Sequence, residues 1–276
     1  MKNKFLIFIA AISFISPAQA FWTDFSLTSG SNEFLRTEGN FASNISTRIV
    51  GGIGVSAYKR EKQDYVYALR FPLNYFIGRN ILLTAKPFFY PADRNGSFAQ
   101  GARASFSLLT ENAQNETSTT YTFAAAHQRQ RLAFFGEKDF SSNCAEISAE
   151  KNFYDQFFIL ASAGAVSNSG FSYTVQKNYA ETQDLISLNS NSFLNDFVLS
   201  KLGLQFARSF KPDFDSYVFA GYDKINGKFS EYNSWLFGLR INFSEKNSAN
   251  FSYNYLDDKK GHSKKYYKIS IGILFK

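Results

Sequence analysis

Residues 264–276 read KKYYKISIGILFK, with Tyr267, Ile269, Ile271, Ile273 and Phe275 at every second position and Lys268, Ser270, Gly272 and Leu274 between them. A period of two is that of a β-strand whose side chains alternate between two faces. One face here is aromatic or branched aliphatic, and the other carries a cation, a hydroxyl and a glycine. Such a strand needs an apolar medium on one side only.

The same code runs back through the chain. DYVYALRFPLNYFIG places Tyr65, Tyr67, Leu69, Phe71, Leu73 and Tyr75 on one face, with Asp64, Arg70 and Asn74 opposite. ISTRIVGGIGVSAY sets Ile45, Ile49, Ile53 and Val55 against Ser46, Arg48, Gly52 and Ser56. FSEYNSWLFGLRINFS lines up Trp235, Phe237, Leu239, Ile241 and Phe243. Between these runs stand turn signals such as GRN, ADRNGS, KPDFD, NGK and EKNS, rich in the residues that accept tight backbone bends. Strands are expected near 22–29, 34–42, 46–59, 64–77, 80–91, 98–110, 119–135, 142–152, 156–167, 197–210, 216–225, 229–244, 249–257 and 264–275. The first two carry the weakest pattern, so twelve strands stand as an alternative to the favoured fourteen.

Composition separates a membrane wall from a soluble sandwich. The 276 residues include 32 Phe and 16 Tyr but only 2 Trp, while the mean hydropathy is −0.24. A chain polar on average yet rich in rings is built by alternation, and interfacial belts use rings in this quantity. The expected strands exceed the five or six residues usual in sandwiches. Their greasy faces are crowned by aromatics near the strand ends, and the opposite faces are small and polar, as in a barrel that crosses a bilayer.

MKNKFLIFIAAISFISPAQA, residues 1–20, has Lys2 and Lys4, an apolar run from Phe5 to Ile15 and an Ala18-Gln19-Ala20 ending. That is the layout of a cleaved secretory signal, so two segments are expected: a signal peptide over 1–20 and the barrel over 21–276. Without Lys2 and Lys4 the chain keeps 28 basic and 23 acidic residues, a net charge of +5. No apolar run after Phe21 is long enough for a membrane helix. Cys144 is the only cysteine, so no internal disulfide is expected, and neither CxxC nor a histidine cluster suggests a metal or other cofactor.

Over its whole length after residue 20, the chain resembles a Gram-negative outer-membrane β-barrel protein. The last strand carries the resemblance most specifically. Such proteins end in alternating hydrophobics with a terminal aromatic that the barrel-assembly machinery reads as an insertion signal, a part that Tyr267, Ile269, Ile271, Ile273 and Phe275 would play here. Lys276 departs from the pattern by shifting the aromatic one place inward. The resemblance implies an all-β, closed antiparallel transmembrane barrel in the bacterial outer membrane, in contact with its lipid and lipopolysaccharide, and no role with nucleic acid. With both termini in the periplasm, DDKKGHSK, NGK and residues 167–196 would lie outside the cell, and EKNS and KPDFD inside.

Residues 167–196 form the longest expected connection, with Phe171, Tyr173 and Tyr179 among many Asn and Ser. A mobile surface loop or extended hairpin is the first expectation, and a loop that narrows the pore or contacts a ligand is the sharper one.

The polar faces would line the lumen. Arg48, Arg70, Lys86, Arg103, Arg129, Arg131, Lys201, Arg240 and Lys268 are expected there, against Asp64, Glu146, Glu150 and Asp223. A surplus of fixed positive charge favours anions, so the expected function is a passive porin-like channel for small, anionic solutes. The alternative is a barrel that adheres or anchors without transporting. Enzymatic chemistry is not expected. Catalysis of the hydrolytic kind needs a base beside a nucleophile, whereas His127 has no Ser or Asp at the right spacing and His262 adjoins Ser263 in a loop.

Overall fold

The computed structural model describes residues 21–275 apart from 60–63, 113–115, 134–137, 154–155, 171–177, 190–193, 195 and 211–215. The signal-peptide reading of residues 1–20, the KPDFD turn, Phe171 and Tyr173 therefore lie outside the described residues.

Fifteen strands follow one another in the order β1 (Phe21–Gly30), β2 (Phe34–Asn44), β3 (Ile49–Lys59), β4 (Val66–Arg70), β5 (Leu73–Ile77), β6 (Ile81–Tyr90), β7 (Phe98–Asn112), β8 (Thr117–Leu132), β9 (Lys138–Phe153), β10 (Phe157–Ser169), β11 (Val198–Ser209), β12 (Tyr217–Gly227), β13 (Glu231–Ser244), β14 (Asn247–Asp257) and β15 (Ser263–Phe275). Consecutive strands pair antiparallel, except that β4 and β5 both lie between β3 and β6, and β15 returns to β1 with Phe275 opposite Phe21 and Ile271 opposite Phe25. The sheet thereby closes and leaves no edge, as a wall in hydrocarbon must.

β4 and β5 are one stave. Leu69 faces Phe89 and Leu73 faces Ala85, so the register against β6 is unchanged across the gap. The gap is Phe71-Pro72, where proline has no N–H to give the ladder. Phe71 N still donates to Pro87 O at 2.9 Å, and Gly52 N donates to Pro72 O at 2.9 Å. The barrel thus has fourteen staves, and the two N-terminal strands of weakest pattern are among them.

The alternation sorts the two faces as the last strand announced. Tyr267, Ile269, Ile271 and Phe275 are exposed on the outside, Ile271 at 51%, together with Phe25, Phe123, Ile147, Leu204 and Phe237 on other staves. Tyr266 is buried inside, and Lys268, Ser270 and Gly272 share its face. An outer belt of this kind would be unstable in water, since the apolar side chains gain nothing there. Phe21 stacks on Phe275 with ring centroids 4.6 Å apart, sealing the closing seam at the end where both termini meet.

The connections between β1 and β2, β6 and β7, β10 and β11, β12 and β13, and β14 and β15 all lie at the opposite end from the termini. This is the rim at which the sequence placed NGK, DDKKGHSK and residues 167–196.

Candidate functional site: a loop seated in the lumen

The connection from β10 to β11 does not stand off the rim. Its described part, residues 178–189, 194 and 196–197, enters the barrel, with a single helical turn α1 (Thr182–Leu185) packed against β7, β8 and β9. Tyr179, Leu185, Ile186, Leu194 and Phe197 are buried there against inward residues such as Tyr58, Phe140, Val166 and Ile225. Each large side chain so buried is worth about 1.5–3 kcal/mol relative to exposure. The expectation of a mobile surface loop is overturned by this packing; the pore-narrowing reading is the one with geometry behind it.

Four polar anchors fix the loop. The first joins it to β2, β4 and β6. Asp184 is wholly buried and accepts from Arg70 Nε at 2.7 Å and Nη2 at 2.9 Å, from Tyr90 Oη at 2.5 Å, and lies 3.1 Å from Lys86 Nζ. Glu181 sits 2.9 Å from Arg36 Nη2 and 3.4 Å from Arg70 Nη2, and Arg36 also reaches Glu38 at 2.8 Å. The second anchor is Glu146 of β9, which bridges Arg103 and Lys201 at 2.9 Å each and accepts from Ser187 N at 3.0 Å. Arg103 and Lys201 also donate to the Leu185 and Ser187 carbonyls. The third is Asn189 Nδ2 donating to Asp223 Oδ1 at 3.2 Å. In the fourth, Asp196 accepts from Phe229 N at 3.1 Å, Ser230 N at 3.0 Å and Tyr232 Oη at 3.1 Å, tying the loop's end to the hairpin beside it.

Burial opposes ionisation of Asp184, but the Arg70 guanidinium and the Lys86 ammonium outweigh it, and the bonds from Arg70 and Tyr90 add to them. The carboxyl is held well below the usual carboxylate range. A depressed folded-state value gives stability that is complete above the ordinary pKa and disappears only as pH falls through the depressed one. The loop is therefore expected to stay seated on mild acidification. Conductance measured from pH 7 down to about pH 4.5, near the unperturbed range of carboxylates, should be flat; a stepwise opening in that window would contradict the assignment.

Of the cations expected in the lumen, Arg70, Lys86, Arg103, Lys201, Arg240 and Lys268 are on the inner face. Three are placed elsewhere. Arg48 is exposed in the turn between β2 and β3, its N–H on Ser46 Oγ. Arg129 and Arg131 project outward, because β8 runs in one unbroken register from Tyr121 and Phe123, and Arg129 stands opposite Gln100 and Ser141. Both bind Asp139 at 3.0 Å on the outer surface, above the level where the outer face is apolar. Asp64 is likewise exposed at the rim, 3.9 Å from Arg94.

Glu146, Glu150 and Asp223 face inward. The sequence reading missed Asp24, Arg36 and Glu38 on β1 and β2, and Glu181 and Asp184 on the loop. The spacing Arg36-x-Glu38, on the polar face of β2, was the available signal for two of them. With these carboxylates present, Arg36, Arg70, Lys86, Arg103 and Lys201 are all paired, so the expected surplus of positive charge is largely offset at the loop. Among the described residues there is no cluster of metal-ligating side chains.

No family model and no curated protein matches the chain in sequence. Solved structures do resemble it in fold. A CymD monoaromatic hydrocarbon channel is 13% identical, covers 96% of this chain and 91% of its own, and superposes with a TM-score of 0.55. Acinetobacter baumannii OccAB1 is 10% identical over 95% and 97% of the two chains, TM-score 0.51. The Ralstonia pickettii toluene transporter TbuX is 10% identical over 94% and 90%, TM-score 0.50. At these identities the likeness is one of fold: the chain is a closed antiparallel β-barrel of the kind these channels have.

Proposed function

We propose that the protein is a passive channel of the bacterial outer membrane, exported by residues 1–20 and narrowed by the seated loop. The observation that carries this reading is the loop itself. A barrel that only anchors or adheres gains nothing from lining its lumen with polar side chains and then constricting it, whereas a fourteen-stave barrel is wide enough to hold water and needs a constriction to select solutes.

On the termini side of the loop the inner wall is wetter. Lys86, beside Asp184, is 31% exposed, and Arg240 and Lys268 are half-buried near Asp24. These cations support a modest preference for small anions. Its magnitude is limited by the carboxylates, and buried pairs at the loop contribute little to the field in the water-filled part. Tyr267, Ile269, Ile271, Ile273 and Phe275 serve as the signal by which the assembly machinery inserts the barrel among lipid and lipopolysaccharide.

The test is a planar-bilayer recording on refolded protein under a salt gradient. Discrete conductance steps with a small anion-selective reversal potential are expected, and Lys268→Glu with Arg240→Glu should reverse its sign. A folded barrel that passes no current would overturn the channel in favour of an anchoring or adhesive role.

A further inference from the structure

The wall below the loop is not uniformly polar. Phe158 of β10 and Tyr217 and Phe219 of β12 face into the lumen near the termini end. Phe158 and Phe219 both stand opposite Ala207 of β11, on the inner face that also carries Lys201. Phe158 and Tyr217 have ring centroids 6.0 Å apart at 74°, and Tyr217 and Phe219 6.0 Å apart at 58°. All three are half-buried, so part of each ring faces the vestibule.

The neighbouring positions are cut down to admit them. The end of the Phe219 ring occupies the space that a Cβ on Gly238 would take, and Ala207 is fully covered. Around the rings stand Gln205 and Arg240, the latter opposite Tyr217. One step up β10 from Phe158, Leu160 helps line a cavity of about 120 Å³ beneath the loop, together with Thr122, Ser162, Asn189 and the charged trio Arg103, Glu146 and Lys201.

Wet aromatic faces in a polar vestibule are poorly solvated, and no core requires them in a barrel of this width. Hydroxyls and amides both donate and accept, and a guanidinium donates in a fixed plane. Rings for the faces of a solute, with hydroxyl, amide and guanidinium groups for its edge, suit a molecule that is apolar above and below and hydroxylated around its rim. We propose that Phe158, Tyr217 and Phe219, with Arg240 and the mixed polar cavity above them, form a stacking site for sugars on their way through the barrel.

The site rests on the channel reading, so it is tested by two measurements that fail separately. Maltotriose is titrated into detergent-solubilised barrel by calorimetry, which needs no open pore, and then added to a conducting bilayer to look for interruptions of current. Binding should be saturable, and Phe158→Ala with Phe219→Ala should weaken it at least tenfold while the unboiled protein still migrates as a folded barrel. Gly238→Ala keeps every ring but displaces Phe219, and should weaken binding in the same direction. No binding of maltotriose to a barrel that conducts overturns the site and leaves the channel. Binding unchanged in the variants overturns its placement, and binding of indole in place of maltotriose overturns the sugar. Binding that persists in a barrel passing no current keeps the site and removes the channel.

Discussion

Asp184→Ala is expected to raise single-channel conductance several-fold. The substitution leaves Arg70, 3% exposed, beside Lys86 with their common carboxylate gone. Removing one partner of a buried pair costs about 3–5 kcal/mol when the surviving charge is left uncompensated; Glu181 at 3.4 Å and Glu38 at 3.9 Å still face Arg70, so the low end of that range is the ceiling here. All of that cost falls on the seated loop and none on a displaced one, where water solvates both cations. At about 1.4 kcal/mol per factor of ten, the ratio of seated to displaced loop should fall by up to roughly a hundredfold. The wall itself should be unharmed, since its ladders run through the backbone. Bilayer recordings with a melting curve separate these effects: larger or more frequent openings with an unaltered barrel midpoint are expected. Unchanged conductance would mean that Asp184 does not hold the loop.

The other large effect concerns the outer belt. Ile269→Lys should abolish assembly into a heat-modifiable barrel, while Ser270→Lys, one position away, should assemble as the parent does. Ile269 lies midway along β15 on the outside, 48% exposed, where a lysine in hydrocarbon costs about 2–4 kcal/mol. Ser270 faces the lumen with Lys268 as its like-sided neighbour, and a further ammonium there meets water. The comparison is read on a gel as the difference in migration between boiled and unboiled samples. Equal assembly of both variants would contradict the assigned faces.

The wall was legible in the sequence because a β-strand writes its environment at every second residue. Fourteen staves, their order and the two faces of the last strand all follow from that local code, with turn residues supplying the boundaries. Two things were not local. Parity failed at Arg129 and Arg131 because the code inverts where β8 rises past the apolar belt. There the outward positions turn polar, while Gln128 and Gln130 are buried within. A charged side chain is forced inward only within the apolar belt, and beyond it the unbroken register from Phe123 fixes both arginines outside.

The loop was misjudged for a different reason. Its seat depends on pairs such as Arg70 with Asp184, which are 114 residues apart, and nothing near Asp184 in sequence names Arg70 as its partner. A stretch such as AETQDLISL, which alternates carboxylates with Leu and Ile, is compatible with a solvated loop and with one that buries its apolar side chains. Once Glu181 and Asp184 are inside, they also cancel much of the positive charge that the strands alone suggested. The anion preference is accordingly reduced to the wetter cations on the termini side.

The claim that the loop lies in the lumen has one direct measurement. Asn189 Cβ is 3.2 Å from the position of a Cβ on Gly221 of β12, close to the separation of about 3.5–4.5 Å that a disulfide spans. In a Cys144→Ala background, Asn189→Cys with Gly221→Cys should form a disulfide nearly to completion on mild oxidation of the folded barrel. The bridge should also suppress the extra conductance of Asp184→Ala until it is reduced. Two thiols that stay free in the folded, oxidised protein, with the cysteine at 189 open to a bulky maleimide from outside, would place the loop away from the wall and contradict the account.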